Sequence, residues 1–226
     1  MLSKLREVLW QTIFGLLLGF HLGSPVRAAP APVGVEDLAG SLEKLDQTFS
    51  KIGFAAAFHT GDRVAFAAKT CSGKTSCHDY ESLVTVENVT ASDAVLRTEH
   101  ALNTHLETVS KGDFDAAHGN PVRLWLKSLE RSLASAPRTP TRVRVSEIRP
   151  VRYVFPDKKE IQADTITLTV IVPMPDLKDV TEIQNEFTVS SLLPGPAHVL
   201  EVRTKSSGEN GRVVSRSVVS YAPATQ

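Results

Sequence analysis

The sequence predicts an α+β N-terminal unit over residues 35–136, followed by an all-β sandwich over residues 141–226. Three observations carry this expectation. Up to residue 136, apolar residues recur both at helical steps of three and four and in short strand-like runs. Beyond it, strand-like runs punctuated by proline and glycine are the whole pattern. Between the two lies Pro137-Arg138-Thr139-Pro140, a stiff linker over residues 137–140.

Ahead of the first unit, residues 1–28 read as a cleavable signal peptide. Lys4 and Arg6 give the basic start. Val8-Leu9-Trp10 and residues 13–20 give an apolar segment interrupted by Gln11 and Thr12. Its unbroken part is far shorter than the roughly 20 apolar residues that span a bilayer, and Ser24-Pro25 ends the helix. Val26-Arg27-Ala28 offers the small or aliphatic positions a signal peptidase reads, so cleavage is expected after Ala28. Residues 29–34, beginning Ala29-Pro30-Ala31-Pro32, then form a stiff leader. No second long apolar run follows, which predicts a secreted, extracellular product with no stable membrane insertion after cleavage.

Within the first unit, Val35, Leu38, Leu42, Leu45, Phe49 and Ile52 form one stripe of a helix over residues 35–52, with Gly53 as its stop. Residues 54–58 and 63–67 flank His59-Thr60-Gly61-Asp62 and predict a β-hairpin. Residues 82–87, rich in β-branched side chains, predict a third strand. Thr90-Ala91-Ser92-Asp93 offers helix-capping chemistry, and Val95, Leu102, Leu106 and Val109 share a helical face until Gly112. Asn120-Pro121 opens a further helix, with Val122, Trp125, Leu126, Leu129 and Leu133 on its apolar side.

In the second unit, strands are predicted over residues 141–148, 151–155, 164–172, 186–192, 198–204 and 213–221. In the third of these, Ile166, Leu168, Val170 and Val172 alternate with Thr165, Thr167, Thr169 and Ile171, the pattern of a strand with one face inward. Residues 192–202 read Leu-Leu-Pro-Gly-Pro-Ala-His-Val-Leu-Glu-Val, followed by a turn at residues 206–211 and the last strand. This run resembles the end of a fibronectin type III module, where a Leu-x-Pro-Gly-x-x-Tyr corner precedes a strand, a glycine-rich loop and the final strand. Proline fixes and glycine frees the backbone where the chain changes sheets. His198 stands where the corner tyrosine is expected, and Tyr153 or Phe155 would fill the core position usually held by tryptophan. The resemblance spans about residues 139–225 and implies an extracellular interaction module; Arg-Gly-Asp is absent.

Charge narrows the partners. The whole chain carries 25 basic and 25 acidic residues, and removing residues 1–28 leaves 22 against 24. Such balance lacks the basic footprint of a nucleic-acid binder. Cys71 and Cys77, separated by five residues in a chain with an export signal, predict one disulfide rather than a metal site, since His78 completes no usual ligand set. Closing so small a loop is worth roughly 2.4 kcal/mol on the chain-entropy model. Asn88-Val89-Thr90 fits the N-glycosylation acceptor pattern.

Catalytic chemistry is not apparent. Gly73-Lys74-Thr75 resembles the tail of a phosphate loop, but Ala68 stands where its first glycine belongs. Glu99, His100, His105 and Glu107, with His118 and His78, are the place to look for a catalytic site. The two histidines five positions apart do not share a helical zinc face, and there is no Gly-x-Ser-x-Gly elbow. Neither metal nor cofactor is expected. Arg142, Arg144, Arg149 and Arg152 crowd one stretch and suggest contact with an anionic ligand such as a sulfated glycan. The expectation is a secreted, non-enzymatic binding or adhesion protein whose partner is an extracellular protein or glycan. The competing class is a secreted hydrolase or host-directed effector acting through the first unit.

Overall fold

Alternation of apolar and polar residues dictates most of this molecule, and the strands it creates join across the expected boundary. The computed structural model describes residues 33–72, 76–100, 103–134, 141–173, 180–206 and 212–224. The signal segment and the 137–140 linker lie outside them. Eleven strands are described: β1 (Val33–Glu36), β2 (Arg63–Ser72), β3 (Ser76–Val89), β4 (Asp93–His100), β5 (Asn103–Ser110), β6 (Thr141–Val145), β7 (Arg149–Val154), β8 (Glu160–Pro173), β9 (Val180–Val189), β10 (Val199–Ser206) and β11 (Arg212–Ala222). Four helices accompany them: α1 (Ser41–Phe49), α2 (Phe54–Ala57), α3 (Lys111–Ala116) and α4 (Pro121–Ala134). A 3₁₀ turn, Gly195–Ala197, precedes β10.

The strands form a single hydrogen-bonded sheet in the order β1-β6-β8-β9-β10-β11-β2-β3-β4-β5, with β7 also paired to β8. This overturns the predicted α+β unit followed by a separate sandwich. β1 runs parallel to β6, Val33 opposite Thr141, and β11 pairs along its length with β2, from Arg212 opposite Ser72 to Ala222 opposite Arg63. The fibronectin type III resemblance falls for the same reason. Its proposed final strand is a central strand linking two halves of one sheet, whereas such a module would pack two sheets of its own. The Leu-x-Pro-Gly corner is real as a local turn but turns the chain within that sheet.

Two predicted elements change type. The helix expected after Asp93 is the β4–β5 hairpin, because Ala94, Leu96 and Thr98 are buried at period two. The first arm of the predicted hairpin, residues 54–58, is the short helix α2, which buries Phe54 and Ala57. The first helix is also shorter than its stripe. Leu38 is fully exposed, and Asp37 accepts hydrogen bonds from the backbone N–H groups of Ser41 (2.8 Å) and Leu42 (2.7 Å), fixing the start of α1.

One face of the sheet is covered by the helices. Leu42, Leu45 and Phe49 of α1 and Trp125, Leu126 and Leu129 of α4 pack on Ile166, Leu168, Val170 and Phe187. A second cluster gathers Phe54, Phe58 and Phe114 over Val64, Phe66, Val86 and Leu96. The C-terminal segment is tied down by Asp62, which is buried and accepts from the Ala224 backbone N–H at 2.9 Å.

Candidate functional site: an apolar cavity beneath α4

Helix α4 is set by the residue that caps its N-terminus, Asn120. Asn120 is completely buried; its Oδ1 accepts from the Val122 N–H at 2.9 Å, while its Nδ2 donates to Asp46 Oδ1 at 2.9 Å. Asp46 also accepts the single Nε–H of Arg123, shared between its two carboxylate oxygens at 2.7 Å each. That hydrogen bond, more than the burial opposing it, raises the guanidinium pKa. Helices α1 and α4 are thus locked together, and α4 presents Leu124 and Trp125 to the sheet.

The sheet and α4 do not close completely. Between them lies a cavity of about 160 Å³. Its floor is Phe66, Val84, Leu96, Phe187 and Val202; its roof is Phe58, Leu124, Trp125 and the Gly195-Pro196 turn. Gly195 has to be glycine here, since a Cβ would sit 2.2 Å from the Ala57 carbonyl oxygen and 2.9 Å from the Phe58 ring. The turn can therefore press directly on Phe58 and shut one side of the cavity.

Three polar side chains interrupt the apolar wall: Thr98, Glu107 and Arg216. The register explains their convergence. Glu107 lies opposite Leu96, Thr98 opposite His105, and Arg216 opposite both Ala68 and Val202, so all project from the covered face. The Arg216 guanidinium sits 3.6 Å from the centre of the Phe66 ring, a cation–π contact. Burial lowers its pKa to about 10, against the attraction of Tyr80 and Glu107, so it is cationic at neutral pH. Nearby, His198 is buried with its ring edge-on to Phe49, centroids 5.1 Å apart. Loss of solvation lowers its pKa to about 4, only partly offset by a hydrogen bond to the Leu193 backbone.

The residues singled out from the sequence are dispersed. Cys71 and Cys77 are joined as a disulfide, directly opposite one another in the β2–β3 hairpin. Asn88 is exposed beside an irregularity between Val86 and Asn88, with nothing further to mark it as an acceptor. Arg142 and Arg144 on β6 and Arg149 and Arg152 on β7 are all exposed, both strands pairing with the same edge of β8. Arg144 faces Glu36 at 3.5 Å and Arg152 faces Glu160 at 3.5 Å. His100, His105 and Glu107 share the covered face of the β4–β5 hairpin, while Glu99 points away with Arg97, and His118 and His78 are exposed elsewhere. Among the described residues, no group of three His, Cys, Asp or Glu side chains is arranged to hold a metal ion.

Reasoning from the sequence missed Arg216. Its signal was present: in the run Val214-Ser215-Arg216-Ser217-Val218 the arginine occupies an inward position between two buried valines. A cation at such a position needs a reason.

No known family model matches the chain, and no curated protein does. Three solved structures resemble it in outline. A Bacteroides fragilis protein with a YmcC-like fold is 7% identical at a TM-score of 0.38, covering 73% of this chain and 97% of that one. The hypothetical lipoprotein YmcC of Escherichia coli K12 is 13% identical at a TM-score of 0.33, covering 80% and 90%. A LolA superfamily protein of Nitrosomonas europaea is 9% identical at a TM-score of 0.25, covering 82% and 94%. Likenesses of this size leave function to be argued from the cavity.

Proposed function

We propose that this chain is an exported, non-enzymatic binding protein that holds an apolar small molecule between its sheet and helix α4. The observation that carries the reading is the cavity itself. Its volume of about 160 Å³ is close to that of an engineered apolar cavity of about 150 Å³ that stays dry and takes up benzene. Its walls are mostly aromatic and aliphatic, with a few polar groups gathered among them, which is the composition of a small-molecule site. Sugar hydroxyls would find few partners on such walls, so a hydrocarbon suits the cavity better than a glycan. Export is supported by the signal segment and by the disulfide, a bond that persists in oxidising compartments. No helix among the described residues is long and apolar enough to cross a membrane.

Trp125 supplies the test. It lines the cavity and is the only tryptophan after residue 28. Titrating the mature protein with 1-octanol should shift Trp125 emission saturably, and Val202→Phe, which fills the floor, should abolish the shift while leaving the protein folded. Absence of a saturable shift in the parent, or an undiminished one in the filled variant, would refute the reading.

A further inference from the structure

Beside the cavity, the edge strand β5 and helix α4 leave a further space. A second, smaller hollow of about 60 Å³ lies there. Glu107, Val109 and Leu124 line both spaces, so the two meet at these three side chains. Among the described residues, β5 ends the sheet and has a strand on one side only.

The outer hollow differs from the inner one in chemistry. It is lined by Asp113, Lys127 and Arg131, with Ser110 and Ser128 between them. Asp113 is bonded to Arg131 and lies 3.9 Å from Lys127. Ser110 Oγ donates to Asp113 at 3.0 Å and caps α3 by accepting from the Asp113 N–H at 3.1 Å. One carboxylate thus serves two cations, one of them at a long distance, and with Arg216 and Glu107 counted at the inner end the two spaces together carry one net positive charge. Inside, the buried Glu107 offsets Arg216. Lys127 and Arg131 lie four residues apart on α4, so both heads reach the same opening.

From this arrangement, and resting on the reading of the cavity above, we propose that the occupant is a single-chain anionic amphiphile. Its chain lies beneath Trp125 and its head group sits at the β5–α4 rim on Lys127 and Arg131. The inner space takes about six carbons, being benzene-sized, and the outer hollow brings the chain to the rim. An anion there would share the two cations with Asp113. No covalent step is involved.

The experiment compares octanoate with 1-octanol, which share a chain and differ in charge at pH 7, using Trp125 emission on the mature protein and on the Lys127→Gln/Arg131→Gln variant. The expected result is a fall of about tenfold in the octanoate-to-octanol affinity ratio in the variant, octanol affinity staying put; this corresponds to losing two partly exposed charge contacts. As a check needing no variant, raising NaCl from about 0.05 to about 0.5 M should weaken octanoate and not octanol in the parent, because screening acts on the head group alone. If octanol binds and neither the substitutions nor salt alter the ratio, the rim does not select charge and this proposal fails while the cavity reading stands. If neither ligand binds the parent, both fail together.

Discussion

His198 makes the stability of this protein sensitive to acid in a defined window. Its imidazole is buried against Phe49 and its pKa falls from an ordinary 6.5 to about 4 because burial disfavours the charged ring. In the unfolded chain the same ring takes up a proton near pH 6.5, so between that pH and about 4 the unfolded state binds more protons than the folded one. Acidification therefore favours unfolding: the contribution is fully present above pH 6.5 and is lost as pH falls toward 4. At 1.36 kcal/mol per pH unit the whole loss is on the order of 3 kcal/mol, most of it accrued by pH 4.5. Against a total of roughly 5–15 kcal/mol for a domain, this is a large fraction. Urea unfolding of the mature protein at about pH 7.5 and 4.5 measures it, with His198→Phe as the comparison, since phenylalanine keeps a ring beside Phe49 and cannot titrate. Carboxylates such as Asp113, whose pKa is lowered chiefly by its hydrogen bond to Arg131, titrate in both proteins and cancel in the comparison. The parent should lose roughly 2–3 kcal/mol more than His198→Phe between the two pH values. Equal losses would show that His198 is not held neutral by its surroundings.

Two further outcomes test the frame of the cavity. Gly195→Ala places a Cβ 2.2 Å from the Ala57 carbonyl oxygen, a backbone atom that cannot swing aside, so it should destabilise by about 3 kcal/mol and open the roof at Phe58; thermal unfolding matching the parent would contradict the tight turn. Asn120→Ala removes the cap of α4 and the bond to Asp46, and should cost about 2–3 kcal/mol in urea unfolding; a loss under about 0.5 kcal/mol would mean that α1 and α4 are not coupled through it.

Most individual strands were legible because inward alternation is a local property. The run Ile166, Leu168, Val170, Val172 reads as a half-buried strand from sequence alone, and it is buried as such. Helix α4 was legible for a similar reason: Asn120-Pro121 caps and starts it, and Val122, Trp125, Leu126 and Leu129 form its stripe. The β4–β5 hairpin was not, because Val95, Leu106 and Val109 happen to fall at helical spacing while the inward residues of β4 include the unremarkable Ala94 and Thr98. Short apolar runs fit both periods, and only the pairing partner decides between them. Partner choice is where the sequence reading failed at the level of fold. Nothing local in Val213-Val214-Ser215 states that it pairs with Thr70 and Cys71 rather than closing a module of its own, since β-pairing is settled by the whole sheet.

The site was hidden by the same property. Its residues come from Phe58 to Arg216 and become neighbours only through register, so no spacing along the chain announces them. What the sequence does hold is a set of inconsistencies. Arg216 stands between inward valines, Glu107 is buried on an edge strand, and His198 occupies a turn whose surroundings exclude water. Charged or ionisable groups are costly at such places unless paired. Inward charge on the edge strand β5 also has an ordinary structural use, since it discourages pairing with another chain. Arg216 admits no such account: β11 is a central strand, hydrogen-bonded to β10 on one side and β2 on the other. A cation held over Phe66 at the wall of an apolar cavity, with Glu107 offsetting its charge, therefore marks the site from a central strand and adds to what the cavity itself argues for binding.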